Sequence, residues 1–287
     1  MFESRRGHFD VPHLVLLVSA FLHALWNALL KRERDPEVAV AGVLGIALVF
    51  AAGAALASAG PAFETRAALG WGLGAGVFEG VYFVTLAAAL ARADYGVVYT
   101  TSRGGAMLLV WPLAALLLRE PVRVVGALGA CLVGVGLALT TAHRVRRPAT
   151  RRGLASAAAC AAAIAGYHLC YDRALATGAR PTPLFAVSMA TALPLVLASL
   201  RGRAGALRAG ARATLRWILA GSLCTASFLL FLSGLAAAGA GAAITLRNTS
   251  IVFAQGMALL LGERPTRVQV AGAVLVAAGA ALLGGVG

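Results

Sequence analysis

The chain has 287 residues, of which 60% are hydrophobic and only 13% are charged. Soluble domains carry about 25% charged residues, so this composition excludes a soluble globular protein and predicts an integral membrane protein. The formal net charge of +14 would suggest nucleic-acid binding in a soluble chain. Here the basic residues fall between apolar stretches, so we expect the protein to be embedded in the lipid bilayer and to have no nucleic-acid partner.

Apolar stretches of about 20 residues, the length that crosses a bilayer as a helix, recur along the whole chain. No small-residue cleavage site follows Arg5 and Arg6, so we expect the first stretch to remain in the mature protein. The predicted fold is an all-α integral membrane protein with ten transmembrane helices. The predicted spans are 13–30, 38–58, 68–90, 95–118, 122–142, 153–173, 183–200, 214–237, 240–261 and 267–285.

The first span carries three polar or amphipathic residues in its middle and second half, His23, Trp26 and Asn27. His23 and Asn27 are four residues apart and therefore share one face of the helix. These three side chains are predicted to line a substrate cavity. For Trp26, an anchor at the membrane interface is the alternative.

The third and fourth spans carry Glu79, Tyr82, Tyr99 and Arg103. Tyr99 and Arg103 are one helical turn apart, and Glu79 is the acid that lies deepest in any span. A desolvated carboxylate near a cation suits proton coupling, and a permanent ion pair between Glu79 and Arg103 is an equally open interpretation.

The ninth span carries Arg247 and Asn248. An arginine inside a hydrocarbon-length helix is costly unless it faces a partner or a wet cavity. Arg103 and Arg247 are therefore predicted to bind an anionic substrate group from two sides, because a guanidinium fork suits a carboxylate or phosphate. The alternatives are a structural pairing with Glu79 or a guanidinium that reaches toward the membrane surface.

Two glutamates, Glu120 and Glu263, lie at junctions between spans with a proline one or two residues later. The favoured interpretation is that each stabilises the N-terminus of the helix that follows it, because the helix dipole attracts a negative charge there. A role in gating or ion coupling is the alternative.

The two halves of the chain carry similar residues at a shift close to 144. This similarity predicts two five-helix repeats, at residues 1–147 and 148–287. Because each repeat has an odd number of spans, the second repeat enters the membrane from the opposite side. Such inverted repeats are the architecture of many secondary transporters. The matches are Trp26 with Tyr167, Arg32 with Arg173, Trp71 with Trp217, Arg103 with Arg247, Pro121 with Pro265, and Arg123 with Arg267.

The loops are unequal in basic residues. Those after odd-numbered spans hold sixteen arginines and lysines, whereas the loops after even-numbered spans together with the termini hold seven. The positive-inside rule then predicts that the odd loops are cytoplasmic and that both termini are extracytoplasmic, in the inner membrane of the cell.

The motif at residues 23–31, HALWNALLK, the Gly262-Glu263-Arg264 that closes the ninth span, and the doubled ten-span layout resemble the EamA-type members of the drug/metabolite transporter superfamily. The resemblance covers essentially the whole chain. It implies that the first span and its counterpart, the sixth, contribute to a central pocket, which makes His168 a further candidate for substrate binding. It also implies export, because the bacterial members are mostly exporters.

An enzyme is not predicted, because the chain has no HExxH, GxSxG or Walker motif and no acidic pair inside a span. The four cysteines show no CxxC spacing, so neither a metal nor another cofactor is expected. The predicted function is a secondary active exporter of a small metabolite, an amino acid or an organic anion, that works by alternating access, with protons as a candidate coupling ion. Export of drug-like cations and translocation of a lipid-linked group are the alternatives, and oligomeric state has no signal in the sequence.

Overall fold

A computed structural model of the chain describes residues 11–118, 124–141, 148–210 and 214–284. All regular secondary structure in this part of the chain is helical. The helices are α1 (Val11–Lys31), α2 (Pro36–Leu56), α3 (Arg66–Arg92), α4 (Tyr95–Leu118), α5 (Val124–Thr141), α6 (Pro148–Ala176), α7 (Pro181–Ser199), α8 (Ala204–Gly210), α9 (Thr214–Asn248), α10 (Ser250–Leu260) and α11 (Arg267–Gly284).

Seven helical segments in the described residues are long and apolar enough to cross a membrane, and Arg267–Leu283 is a shorter apolar helix. The predicted all-helical class is confirmed, and the seven apolar segments support a multi-pass membrane protein. Glu120, Arg5 and Arg6 lie outside the described residues.

Local capping explains where two of the spanning helices begin. The side chain of Asp35 accepts a hydrogen bond from Val38 N at 3.2 Å, and Pro36 occupies the first turn of α2. Thr65 accepts in the same way from Ala68 N at 3.0 Å at the start of α3. Both caps satisfy backbone amides that have no partner inside the helix.

The sequence predicts two spans in this part of the chain, 214–237 and 240–261, whereas the helical stretch α9 extends from Thr214 to Asn248. This stretch is not straight. The Arg247 guanidinium donates to Ser227 O at 2.9 Å, whereas twenty residues of straight helix would separate the two by about 30 Å. The chain therefore folds back between them, where residues 236–243 are all alanine or glycine.

A small irregularity follows the returning part of α9. Thr249 separates α9 from α10, and the bonds Thr249 N to Leu246 O (3.2 Å) and Val252 N to Thr249 O (2.9 Å) span three residues instead of four. Such a tightened turn inside a span often marks a functional position. Here it lies directly after Arg247.

The helix ends meet at two faces of the bundle. On the basic face, formed by residues 31–37, 90–96, 200–203 and 261–264, Glu37 pairs with Arg92 at 2.7 Å and with Arg203 at 3.0 Å. Lys31 Nζ donates to Leu90 O and Ala93 O at 2.7 and 2.8 Å. These contacts hold the ends of α1, α3 and α7 together.

On the opposite face, formed by residues 57–65 and 177–180, the link is made by the backbone. Glu64 N donates to Gly178 O at 2.9 Å, and Arg180 N donates to Ala62 O at 3.2 Å. Gly178 has a φ of 99°, and a Cβ there would approach the Glu64 side chain to within 2.7 Å. Glycine is therefore required at this junction.

α5 and α11 pack through two pairs of glycines. A Cβ on Gly136 would lie 2.5 Å from Gly272 O, and one on Gly129 would lie 2.8 Å from Gly279 O. Small residues let helix backbones approach this closely inside a membrane, where van der Waals contact drives association.

Replacing Gly136 with alanine is expected to destabilise the protein by about 1–3 kcal/mol, because the added methyl group overpacks the α5–α11 contact. The matched control is Gly134→Ala in the same helix, where a Cβ meets nothing within 4 Å. Thermal unfolding of the two purified variants in detergent measures the difference. Equal melting temperatures would contradict the close contact.

Candidate functional site

His23 is the centre of a buried polar cluster, and α1 places it there with no exposed surface. Arg247 Nη2 donates to His23 Nδ1 at 2.8 Å, and Trp26 Nε1 approaches the same nitrogen at 3.3 Å. Arg103 Nη2 contacts the other ring nitrogen, Nε2. The structure thus brings together four of the predicted site residues, from α1, α4 and α9.

Arg247 has a full set of partners except at Nε. Its Nη1 donates to Ser19 and to Ser227 O, the latter at 2.9 Å. The guanidinium also lies over two aromatic rings, 5.1 Å from the centroid of Phe228 and 4.5 Å from that of Phe231. Arg247 is 1% exposed, so it does not reach toward the membrane surface.

Arg103 is held much less completely. Its guanidinium lies 5.9 Å from the centroid of the Tyr99 ring, and its remaining contact among the described residues is with His23. No carboxylate, carbonyl or hydroxyl in that part of the chain accepts a hydrogen bond from it. A buried guanidinium without an acceptor is costly, because it has lost its water and gained no replacement.

Three tyrosines surround His23 and Arg103. Tyr82 places its hydroxyl 3.5 Å from His23 Nε2. Tyr99 and Tyr167 are buried, and neither hydroxyl has a hydrogen-bond partner among the described residues. Such hydroxyls next to a guanidinium can donate hydrogen bonds to a polar ligand.

Glu79 lies on α3, fully buried, and neither carboxylate oxygen accepts a hydrogen bond in the described part of the chain. The nearby hydroxyls of Tyr171 and Ser188 instead bond to each other at 2.7 Å. The proposed ion pair between Glu79 and Arg103 is not formed in this structure.

The other predicted site residues differ in their surroundings. Asn27 donates to His23 O at 2.7 Å and so bonds back to its own helix. His168 stacks on Phe231 with ring centroids 5.3 Å apart. His168 Nε2 and Asn248 Nδ2 have no partner in the described residues, so both remain available to a ligand.

The structure adds residues that the sequence analysis did not select. Ser19, Ser227 and the two phenylalanines that hold Arg247 are ordinary residues of apolar spans, and no local pattern distinguishes them. Tyr167 had a signal, because it aligns with Trp26 in the repeat. It contacts Tyr82 edge-on, with centroids 5.5 Å apart.

Glu263 caps a helix, but not the helix that was expected. Its carboxylate accepts hydrogen bonds from Tyr95 N and Gly96 N at 2.5 and 3.1 Å, at the start of α4. Burial, together with the neighbouring Asp94, raises the pKa of Glu263 above its ordinary value, although the two amides and Lys31 oppose the shift. The expected cap on the following helix is wrong, because the tertiary fold places the α4 terminus closer.

The described residues contain no group of three or more histidine, cysteine or acidic side chains placed to hold a metal ion. The central cluster combines two guanidiniums, a histidine, phenols and a separate carboxylate, all inside the bundle. Such an arrangement can bind and orient a small polar molecule, with its anionic part at the arginines.

No protein of curated function matches the chain in sequence. One solved crystal structure aligns with 95% of this chain and 95% of its own chain, at 18% sequence identity and with a TM-score of 0.66. At this identity the likeness concerns the fold alone.

The sequence profile of the EamA-like transporter family matches residues 151–285, which include α7, α9, α10 and α11. This family is part of the drug/metabolite transporter superfamily, so the resemblance predicted from the sequence is confirmed. The profile match thus shows similarity to the EamA-like transporter family over the second half of the chain.

Proposed function

We propose that the chain is a secondary active transporter that exports a small anionic metabolite across the inner membrane by alternating access. The anionic group of the substrate binds at Arg103. The single observation that carries this proposal is that this buried guanidinium, 3% exposed, contacts His23 and the Tyr99 ring and has no carboxylate or carbonyl partner among the described residues.

The surroundings of Arg103 support an anion over a cation. The hydroxyls of Tyr99 and Tyr167 are unpaired donors close to the guanidinium. A carboxylate or phosphate accepts several hydrogen bonds at once, which a guanidinium and two phenols together supply. The second arginine adds positive charge from the other side of His23.

Ten spans in two inverted repeats are part of the proposal, and the packing supports them. Two inverted repeats predict that each pair of contacting helices has a counterpart pair that is also in contact. The counterpart of α3–α6 is α1–α9, that of α3–α7 is α2–α9, and that of α4–α6 is α1–α10. All six pairs are in contact. The glycine contacts follow the same rule, since Gly129 and Gly272, like Gly136 and Gly279, are 143 residues apart.

Proton coupling through Glu79 completes the mechanism. An ionised carboxylate without partners is expensive inside a membrane, and protonation removes that expense. A site that carries a proton in one direction and an anion in the other needs such a group near the substrate. Glu79 is fully buried on α3, the helix that also carries Tyr82.

Transport by the purified full-length chain in proteoliposomes tests the proposal. The panel contains acetate, succinate, methylphosphonate, phosphate, glutamate and leucine, with tetraphenylphosphonium as the cation. We expect accumulation of at least one anion when a pH gradient is imposed, and none of the cation. Transport of the cation alone would overturn the anionic substrate and make Glu79 the leading residue of the site.

A further inference from the structure

We propose that His23 is a hydrogen-bond donor to the substrate anion, and that Arg247 and Trp26 fix its imidazole in the tautomer that makes this possible. This inference rests on the proposed function. It separates the two arginines by role: Arg103 binds the anion directly, whereas Arg247 is a positioning residue that acts through His23.

The tautomer follows from the partners of Nδ1. Arg247 Nη2 lies 2.8 Å from this nitrogen and Trp26 Nε1 lies 3.3 Å from it. Guanidinium and indole N–H groups donate and cannot accept. Two such donors face Nδ1 and one faces Nε2, so the neutral imidazole with its lone pair on Nδ1 and its proton on Nε2 leaves fewer donors facing an N–H group.

The proton on Nε2 faces a second donor. Arg103 Nη2 contacts Nε2, and a guanidinium offers no lone pair to this N–H group. The hydroxyl of Tyr82, at 3.5 Å, is too distant for a strong bond. The N–H groups of His23 Nε2 and Arg103 Nη2 thus face each other with no acceptor between them, and both residues are buried.

An oxygen of an anionic substrate would resolve this conflict. Once the Arg103 side chain withdraws slightly, one carboxylate or phosphate oxygen can accept from both His23 Nε2 and Arg103. The unpaired hydroxyls of Tyr99 and Tyr167 are available to the remaining oxygens. Both donors would then share one acceptor.

Arg247 is suited to the positioning role because it is itself fixed. Ser19, Ser227 O and the rings of Phe228 and Phe231 hold its guanidinium on the sides away from His23. It can therefore direct one N–H at Nδ1 without being free to turn toward a substrate. A charged donor at Nδ1 also favours the neutral imidazole, since a second proton would place two donors against each other.

Nitrogen-15 NMR of the full chain in lipid nanodiscs, labelled at histidine, tests the tautomer directly. The chain has five histidines, and the signals that vanish in His23→Gln identify His23. We expect a protonated Nε2 and an unprotonated Nδ1 in the wild type. Trp26→Phe and Arg247→Met are expected to shift the population toward the other tautomer, more strongly for Arg247→Met.

Addition of acetate or phosphate to the same sample is expected to move the His23 Nε2 signal, and Arg103→Met is expected to abolish the movement. In transport, His23→Gln keeps an N–H near the position of Nε2 and should stay within about threefold of wild type. His23→Leu lacks that donor and should lose about tenfold or more in apparent affinity, the usual effect of a lost bond to a charged group.

A His23 protonated on Nδ1 in the wild type would overturn the inference, whether or not the anions are transported. Equal apparent affinities of His23→Gln and His23→Leu would overturn the donor role. If Nε2 carries the proton but no anion of the panel is transported or moves its signal, the proposed function fails instead. The wild-type tautomer is measured without Arg247→Met, so poor folding of that variant does not affect the decision.

Discussion

Replacing Arg103 with glutamine is expected to lower transport of the anionic substrate by about a hundredfold, because a buried charge-assisted contact to the anion is removed. Arg103→Lys should retain part of the activity, since the ammonium keeps the charge but not the planar fork. Initial rates in proteoliposomes at several substrate concentrations measure the loss as apparent affinity and maximal rate.

The matched control for Arg103 is Arg173→Gln, which removes a partly exposed arginine from the last turn of α6. It should leave transport unchanged. A variant Arg103→Gln that folds normally and transports the anion at the wild-type rate would show that the guanidinium is structural, and the anion site would have to be abandoned.

Replacing Glu79 with glutamine is expected to abolish accumulation driven by a pH gradient while leaving exchange of substrate across the membrane. Glutamine preserves the shape of the side chain but cannot take up and release a proton. Glutamine also retains an oxygen that can accept from the nearby hydroxyls of Tyr171 and Ser188. Its effect should therefore be on coupling and not on folding.

Two assays separate these activities for Glu79: uptake under an imposed pH gradient, and counterflow of labelled substrate without one. Glu64→Gln on the opposite face provides the control, because Glu64 is exposed. Full accumulation by Glu79→Gln would assign proton coupling to another group. Loss of counterflow together with accumulation would indicate that Glu79 binds substrate instead.

The class of the fold was predictable because the bilayer demands apolar stretches of a set length, and residues 13–30 and 38–58 meet that demand without ambiguity. The boundary between the spans after residue 237 was harder to predict. Alanine and glycine do not stop a helix as proline or a polar loop does, and the contact between Arg247 and Ser227 shows that the chain turns back within Thr214–Asn248.

For the site, the sequence indicated which polar and charged side chains lie inside the membrane but not which of them contact one another. His23, Arg103 and Arg247 were each selected from depth and charge. Their convergence on one imidazole depends on contacts between residues 80 to 228 positions apart, such as Arg103 with His23 and Arg247 with Ser19, which no local pattern encodes. The same limit explains why Glu79 was considered a partner of Arg103 although the fold places it beside Tyr171 and Ser188.

The cap that Glu263 places on α4 has a mechanical consequence. Glu263 accepts from the first amides of α4, and Gln255 Nε2 donates to Gly96 O and Thr100 at 3.2 and 3.0 Å. The start of the helix that carries Arg103 is thus fastened to residues from the other half of the chain. Under the proposed alternating access, α4 must either move together with Glu263 and α10 or release these bonds in every cycle.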